Sequence, residues 1–303
     1  MIASLEGALE ATKAGLIEPL LVGAAKEIRH LAHQVNWNLK GVEVIDVPVP
    51  GEAAAQAVSL ARTGQVEALM KGSLHTDELM AEVVRTDGGI RTSRRISHVF
   101  VMDVPSYPKL LLITDAAVNI APTLEEKADI VQNAIDLAHS LGIAQPKVAI
   151  LSALETVTAR IPSTIEAAAL CKMADRHQIT GGILDGPLAL DNAISPASAK
   201  VKHIDSRVAG NADILVVPDM EAGNMLAKEL SYLSGAEAAG IVLGAQVPIV
   251  LTSRADSPHA RLASCAIAML YGRSALESSI SCSAARQSSS SLPAPGARHN
   301  ERK

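Results

Sequence analysis

Aromatic side chains are nearly absent from this chain. They make up 2% of its 303 residues, and Trp37 and Phe100 are alone of their types. The cores must therefore be built from Ala, Val, Ile and Leu, the usual filling of α/β folds whose parallel strands are covered on both faces. A basic excess is lacking too, because the formal net charge is -5. With neither a basic face nor stacking aromatics, the chain is not expected to bind nucleic acid. No apolar run approaches the roughly 20 residues that span a bilayer, so no membrane partner is expected. Residues 1–20 carry Glu6, Glu10 and Lys13 and read as an amphipathic helix rather than a signal peptide. Cys171, Cys265 and Cys282 have neither disulfide-framework nor metal-site spacing. A cytoplasmic, reduced protein without bound metal is the expectation. P-loop, GxGxxG, HExxH, GxSxG and CxxC patterns are all missing. Their absence removes the commonest nucleotide, zinc, serine-hydrolase and redox readings.

What is present is 48% apolar residues, ample for buried cores, in a chain long enough for two domains. Strand-like runs occur at 19–22, 42–47, 68–71, 98–103, 109–114, 147–151, 182–185, 214–218 and 249–252. Helical patterns lie at 53–62, 76–85, 124–141, 165–175, 222–233 and 258–271, with a first helix from about residue 4. Several of these alternations read as βαβ units in a mostly parallel sheet. Such sheets bind ligands beyond the carboxyl ends of their strands. By that rule the clusters of interest are residues 71–75, 115–119, 152–155, 185–187, 219–224 and 252–256. Residues 277–303 are too rich in Ser and Pro to bury a core and read as disordered.

The run from Ile249 to Pro258 carries the most information. An apolar strand ends in Thr252, Ser253, Arg254 and Asp256, and a proline then opens an amphipathic helix. Asp256 or Ser257 can serve as N-cap, and Pro258 suits the first helical turn. Free backbone N–H groups and the positive end of a helix dipole then sit beside Arg254, which makes a site for phosphate or another anion. An ordinary strand-to-helix turn with a surface ion pair is the plainer reading. His75 is the best placed histidine, though its position leans towards an exposed or helix-capping residue. Asp185-Gly186-Pro187 fits turn chemistry alone. A helix N-cap with an acidic first turn explains Asp219 and Glu221 but leaves Gly223 and Asn224 unexplained.

Taken in order, Lys71-Gly72, His75-Thr76, residues 115–119, Asp185-Gly186-Pro187, residues 208–213, 218–224 and 252–257 resemble the phosphate acetyl/butyryltransferase family. The resemblance runs from about residue 4 to about residue 270. It is strongest to the butyryltransferase-type branch and to the acyltransferase half of enoyl-hydratase fusions, which carry Thr-Ser-Arg-Ala-Asp-Ser. The resemblance implies an α/β fold of two domains flanking a cleft, akin to the isocitrate and isopropylmalate dehydrogenases, and a homodimer. It implies a discontinuous first domain (residues 1–95 and 240–272), a second domain inserted at 96–239, and a tail at 273–303. The implied reaction is acyl-CoA plus phosphate giving acyl phosphate plus CoA, acetyl or butyryl, with no cofactor beyond the thioester substrate.

Carried over residue by residue, Ser253 serves the reacting thioester and Arg254 clamps phosphate, with Thr252 beside them. Gly223 and Asn224 match a Gly-Asn pair lining the cleft, and Asp219 and His75 are further substrate-binding candidates. The acetyltransferase branch has an Asp, proposed as base, where this chain has Ala260, and an Arg where gapless counting lands on Glu82. Asp256 is then the candidate base, and Arg91, Arg94 or Arg95 the second cation. The family also opens with a strand of which this chain has at most Met1-Ile2-Ala3, and the region after Gly272 looks foreign to it. A late start with a changed reading frame, or a fragment, would account for both, and an impaired acyl-CoA-binding relic is the rival expectation.

Overall fold

The computed structural model describes residues 2–251 and 257–289, with side chains to residue 274. Ten helices and ten strands alternate along the described residues. They are α1 (Ile2–Lys13), β1 (Leu20–Gly23), α2 (Ala25–Gln34), β2 (Glu43–Asp46), α3 (Pro50–Arg62), β3 (Leu69–Met70), α4 (Thr76–Val84), β4 (Ser97–Asp103) and β5 (Leu111–Thr114). There follow α5 (Leu124–Ser140), β6 (Lys147–Leu151), α6 (Pro162–Asp175), β7 (Ile183–Leu188), α7 (Leu190–Ile194), α8 (Pro196–Val201), β8 (Ile214–Val216), α9 (Met220–Tyr232), β9 (Glu237–Leu243), β10 (Ile249–Val250) and α10 (Pro258–Ser289).

The helices begin where capping chemistry places them. Thr123 accepts from the Glu126 N–H at 3.3 Å while the Glu126 carboxylate takes the Thr123 N–H at 2.9 Å, a reciprocal cap that starts α5. Pro50 and Pro162 occupy first turns, where no N–H is needed. No helix of the described residues is long and apolar enough to cross a membrane.

Strands β1 and β2 form a parallel pair, and the other eight make one sheet in the order β3-β10-β9-β4-β5-β8-β6-β7. Parallel pairing holds from β5 through β8 and β6 to β7, and again between β3 and β10. The steps β10–β9, β9–β4 and β4–β5 are antiparallel. One face is covered by α5, α6 and α10, with Val99, Leu112, Ile135, Leu170, Ile214 and Ile241 at its centre. The other face is buried beneath α9 around Met102, Ile113 and Leu215, and beneath α3 and α4 around Leu69, Val83, Val242 and Ile249.

Three expectations are corrected here. Strand β9 was not foreseen, because Ala238, Ala239 and Gly240 carry little strand propensity. Tertiary pairing overrides it, and all seven residues pair with β4. Asp185-Gly186-Pro187 is no strand-end turn but part of β7. That strand lies at the sheet edge beside a register shift, where a missing proline N–H is tolerated. Finally, α10 continues to Ser289, so the tail expected to be disordered from residue 273 is helical that far. No Gly or Pro interrupts residues 273–289, and extending a helix is far easier than nucleating one.

Candidate active site

Val250 lies beside Met70 in the parallel register of β10 and β3, and the Lys71 N–H donates to the Val250 carbonyl at 3.0 Å. The loops that leave these two strands therefore start side by side. Thr252, Ser253, Arg254 and Asp256 belong to the second loop and lie outside the described residues. The chain is described again at Ser257, whose hydroxyl accepts from the Ala260 N–H at 3.0 Å. Of the two cap candidates, Ser257 thus caps α10. On the first loop Lys71 is 9% exposed, and its ammonium donates to the carbonyls of Gly72 and Leu74 at 3.4 and 3.3 Å. His75 is exposed and precedes α4, its N–H donating to the Glu78 carboxylate at 2.8 Å, as its capping reading required.

Three antiparallel steps separate β10 from β5, so β5, β6, β7 and β8 end at the opposite edge of the sheet. The expected clusters therefore do not share one edge. Packing nonetheless links three of them, 71–75, 115–119 and 219–224. Leu74, Val118 and Leu251 join the same apolar cluster under α3 and α4. The Asn224 amide donates to the Ala116 carbonyl at 3.2 Å.

The 115–119 turn is locked by its own carboxylate. Asp115, 3% exposed, accepts from the N–H groups of Ala117 (2.9 Å), Val118 (3.0 Å) and Asn119 (3.2 Å), and from the Asn119 amide (2.5 Å). Asn119 also donates to the Ile96 carbonyl at 2.8 Å and accepts from Arg95 at 2.7 Å. Against this turn stands α9. A Cβ added to Gly223 would meet Val217 at 2.7 Å and Ala116 at 2.9 Å, so glycine is what lets the helix approach. Asp219 accepts from the Ala222 N–H at 2.8 Å and caps α9. The structure thus accounts for Gly223 and Asn224 by packing and for Asp219 by capping. A cavity of about 290 Å³ lies nearby, lined by Leu151, Ser152, Val217, Pro218, Ala222 and Leu226.

The comparisons with known proteins bear on this arrangement. The profile of the family described as phosphate acetyl/butaryl transferase matches residues 48–269. The chain belongs to that family. It is 65% identical over 268 residues to the phosphate acetyltransferase of Rhizobium meliloti, covering 88% of this chain and 85% of that protein. It is 41% identical over 266 residues to the phosphate butyryltransferase of Clostridium acetobutylicum, covering 88% of each. Among solved structures, the branched-chain phosphotransacylase of Enterococcus faecalis V583 superposes with a TM-score of 0.73 at 31% identity, covering 84% of this chain and 99% of that one.

For a phosphate acyltransferase the placement of cations decides where phosphate goes. Arg94 pairs with Asp136 at 2.8 Å, and Arg95 with Glu126 at 2.9 Å. Glu82 pairs with Arg85 at 2.8 Å. Arg91 is exposed and without a side-chain partner among the described residues. Its backbone bridges Ala245 in the turn before β10, at the far end of that strand from residues 252–256. Cys171 and Cys265 are disfavoured as nucleophiles, since burial pushes the Cys171 thiol up to about 12 and that of Cys265 upward as well.

Sequence reasoning passed over His98. It is 3% exposed in β4, edge-on to Phe100, and its Nδ1 has no partner. Burial lowers its pKa from 6.5 to about 4, outweighing the opposing pull of Asp115. The native state therefore holds the neutral ring, whereas the unfolded chain takes up a proton below 6.5. The contribution is complete above pH 6.5 and shrinks as pH falls towards 4, by on the order of 3 kcal/mol. Melting temperatures from pH 7.5 to 4.5 should fall more steeply for the natural protein than for His98→Gln. Parallel curves for the two would remove His98 from the account.

Proposed function

We propose that this phosphate acyltransferase prefers acetyl-CoA, forming acetyl phosphate and free CoA from acetyl-CoA and phosphate. Acyl transfer between CoA and phosphate is the activity of its family. The acetyl preference is supported by 65% identity to a phosphate acetyltransferase against 41% to a phosphate butyryltransferase. The Thr-Ser-Arg-Ala-Asp-Ser wording of residues 252–257 favours butyryl, and butyryl-CoA is the second candidate.

In this reading Arg254 holds the phosphate through its planar fork, and Ser253 donates to the thioester carbonyl as it becomes tetrahedral. Backbone N–H groups at the start of α10 add donors for the anion. Asp256 takes the thiol proton in the reverse direction, because a free thiol has a pKa of about 8.5 and needs a base at neutral pH. Gly223, Asn224, Asp219, Thr252 and His75 shape the walls around CoA. A cytoplasmic homodimer is the proposed working form.

One methylene in an apolar pocket is worth only about 1–3 kcal/mol, so chain length is decided by measurement. Over a series of acyl-CoA substrates from two to six carbons, kcat/KM should be highest for acetyl-CoA, by roughly tenfold or more over butyryl-CoA. A maximum at butyryl-CoA would retire the acetyl reading. Absence of phosphate-dependent thiol release with every member would retire acyl transfer itself.

A further inference from the structure

We propose that the groove between β6, β8 and α9 seats the pantetheine arm of the CoA substrate, the neutral, amide-linked tether between sulfur and nucleotide. The inference rests on the transfer reaction above but not on the acyl preference. Ile150 pairs with Val216 in the parallel register of β6 and β8, so Leu151 and Val217 leave the two strands together at their carboxyl edge. That edge is where sheets of this kind hold their ligands. Leu226 of α9 and Leu190, at the start of α7, complete an apolar lining around about 290 Å³. Gly223 brings α9 close enough to form its wall, since a Cβ there would meet Val217 at 2.7 Å.

The opposite wall, residues 152–155, is set in advance. The Ser152 N–H donates to the Leu188 carbonyl at 2.9 Å, and the Ser152 hydroxyl lies 2.8 Å from that of Ser163. Glu155 accepts from the amide of the fully buried Asn192 and from the Lys202 ammonium, both at 3.2 Å. The loop is thus fastened to β7, to α6 and to the α7–α8 pair before any ligand arrives. A wall already in place spares the ligand the cost of ordering it.

Size and charge choose the occupant. An acetyl group, hardly larger than two waters at about 30 Å³ each, would leave most of the groove unfilled. The nucleotide end of CoA is excluded by charge. Asp219, Glu221, Asp191 and Glu155 adjoin the lining along the chain, and Lys202 already pairs with Glu155 and Asp191 at 3.2 and 3.8 Å. Phosphate groups are repelled by such a rim, whereas the arm carries no charge. Its methylene and methyl groups can cover the apolar lining. Ala153 is exposed and Leu190 is 37% exposed, so the amides on the open side keep water within reach and are not buried unpaired.

Ala153→Trp, at an exposed loop position, places an indole in the groove without touching the core. It should raise the KM of acetyl-CoA and, in the reverse direction, of free CoA alike, by about tenfold or more, with the phosphate KM within about twofold. A CoA KM within about twofold of normal would overturn the proposal. So would an effect seen with butyryl-CoA but not with CoA, because the acyl chain would then be the occupant. A second measurement begins with the natural protein. In saturation-transfer NMR the geminal methyl protons of pantetheine alone should receive magnetisation from it, and several-fold less from Ala153→Trp. No transfer, or equal transfer from both proteins, would overturn the proposal equally. Transfer to pantetheine from a protein that releases no thiol from any acyl-CoA would instead mean that the reaction reading failed and the groove assignment stands.

Discussion

Arg254→Lys is expected to lower kcat/KM for phosphate roughly ten- to a hundredfold, the equivalent of about 1.5–3 kcal/mol from one charge-assisted bond. Lysine keeps the charge but not the planar fork, so two parallel bonds to phosphate become one mobile contact. The adjoining geometry supports the expectation. Ser257 caps α10 immediately after this segment, and β3 and β10 deliver their loops together. If Arg254 only braced the turn through Asp256 or Glu221, the lysine variant would melt earlier and keep its phosphate KM. Steady-state kinetics and a melting curve on the same sample separate the two outcomes.

Asp115→Ala should be the most destabilising of the substitutions considered. Three backbone N–H groups and the Asn119 amide converge on this carboxylate, which is 3% exposed. Alanine leaves these donors without acceptors where water is scarce, at a cost of about 3 kcal/mol or more. For a chain of this size that corresponds to a melting temperature lower by roughly 6 °C or more. The effect should spread to α9, because Ala116 is what Gly223 and Asn224 rest against. Asp115→Asn keeps one acceptor and should lie between the two. Equal melting temperatures for all three proteins would show that the turn is held by its packing instead.

How much of this was legible in the sequence depends on whether the signal was local. The buried parallel strands announced themselves as short apolar runs, and β6 occupies the residues expected of it. Strand β9 did not, because Ala-Ala-Gly-Ile becomes a strand only by lying between β4 and β10. Pro187 misled in the other direction: a turn former in isolation, it is harmless in an edge strand. At the site, the rule that polar residues after strands matter located the clusters but could not tell which edge each strand end faced. That depends on three antiparallel steps made by distant segments. Asp115 and Asp219 looked alike as carboxylates after strands, and only the donors around them show one locking a turn and the other capping a helix. Lys71 was visible within its motif, yet its burial is a property of the assembled loops.

Strands β3 and β10 contribute only two residues each to their pairing, whereas β4 and β9 are joined along seven. A ladder that short resists local opening far less than the long central one, since the free energy of opening grows with the contacts that break together. The residues assigned to phosphate are thus carried on the thinnest part of the sheet, while the structural carboxylate Asp115 follows a fully buried strand at its centre. The Lys71 N–H, bonded to Val250, should therefore exchange with solvent sooner than the paired amides of β4 and β9.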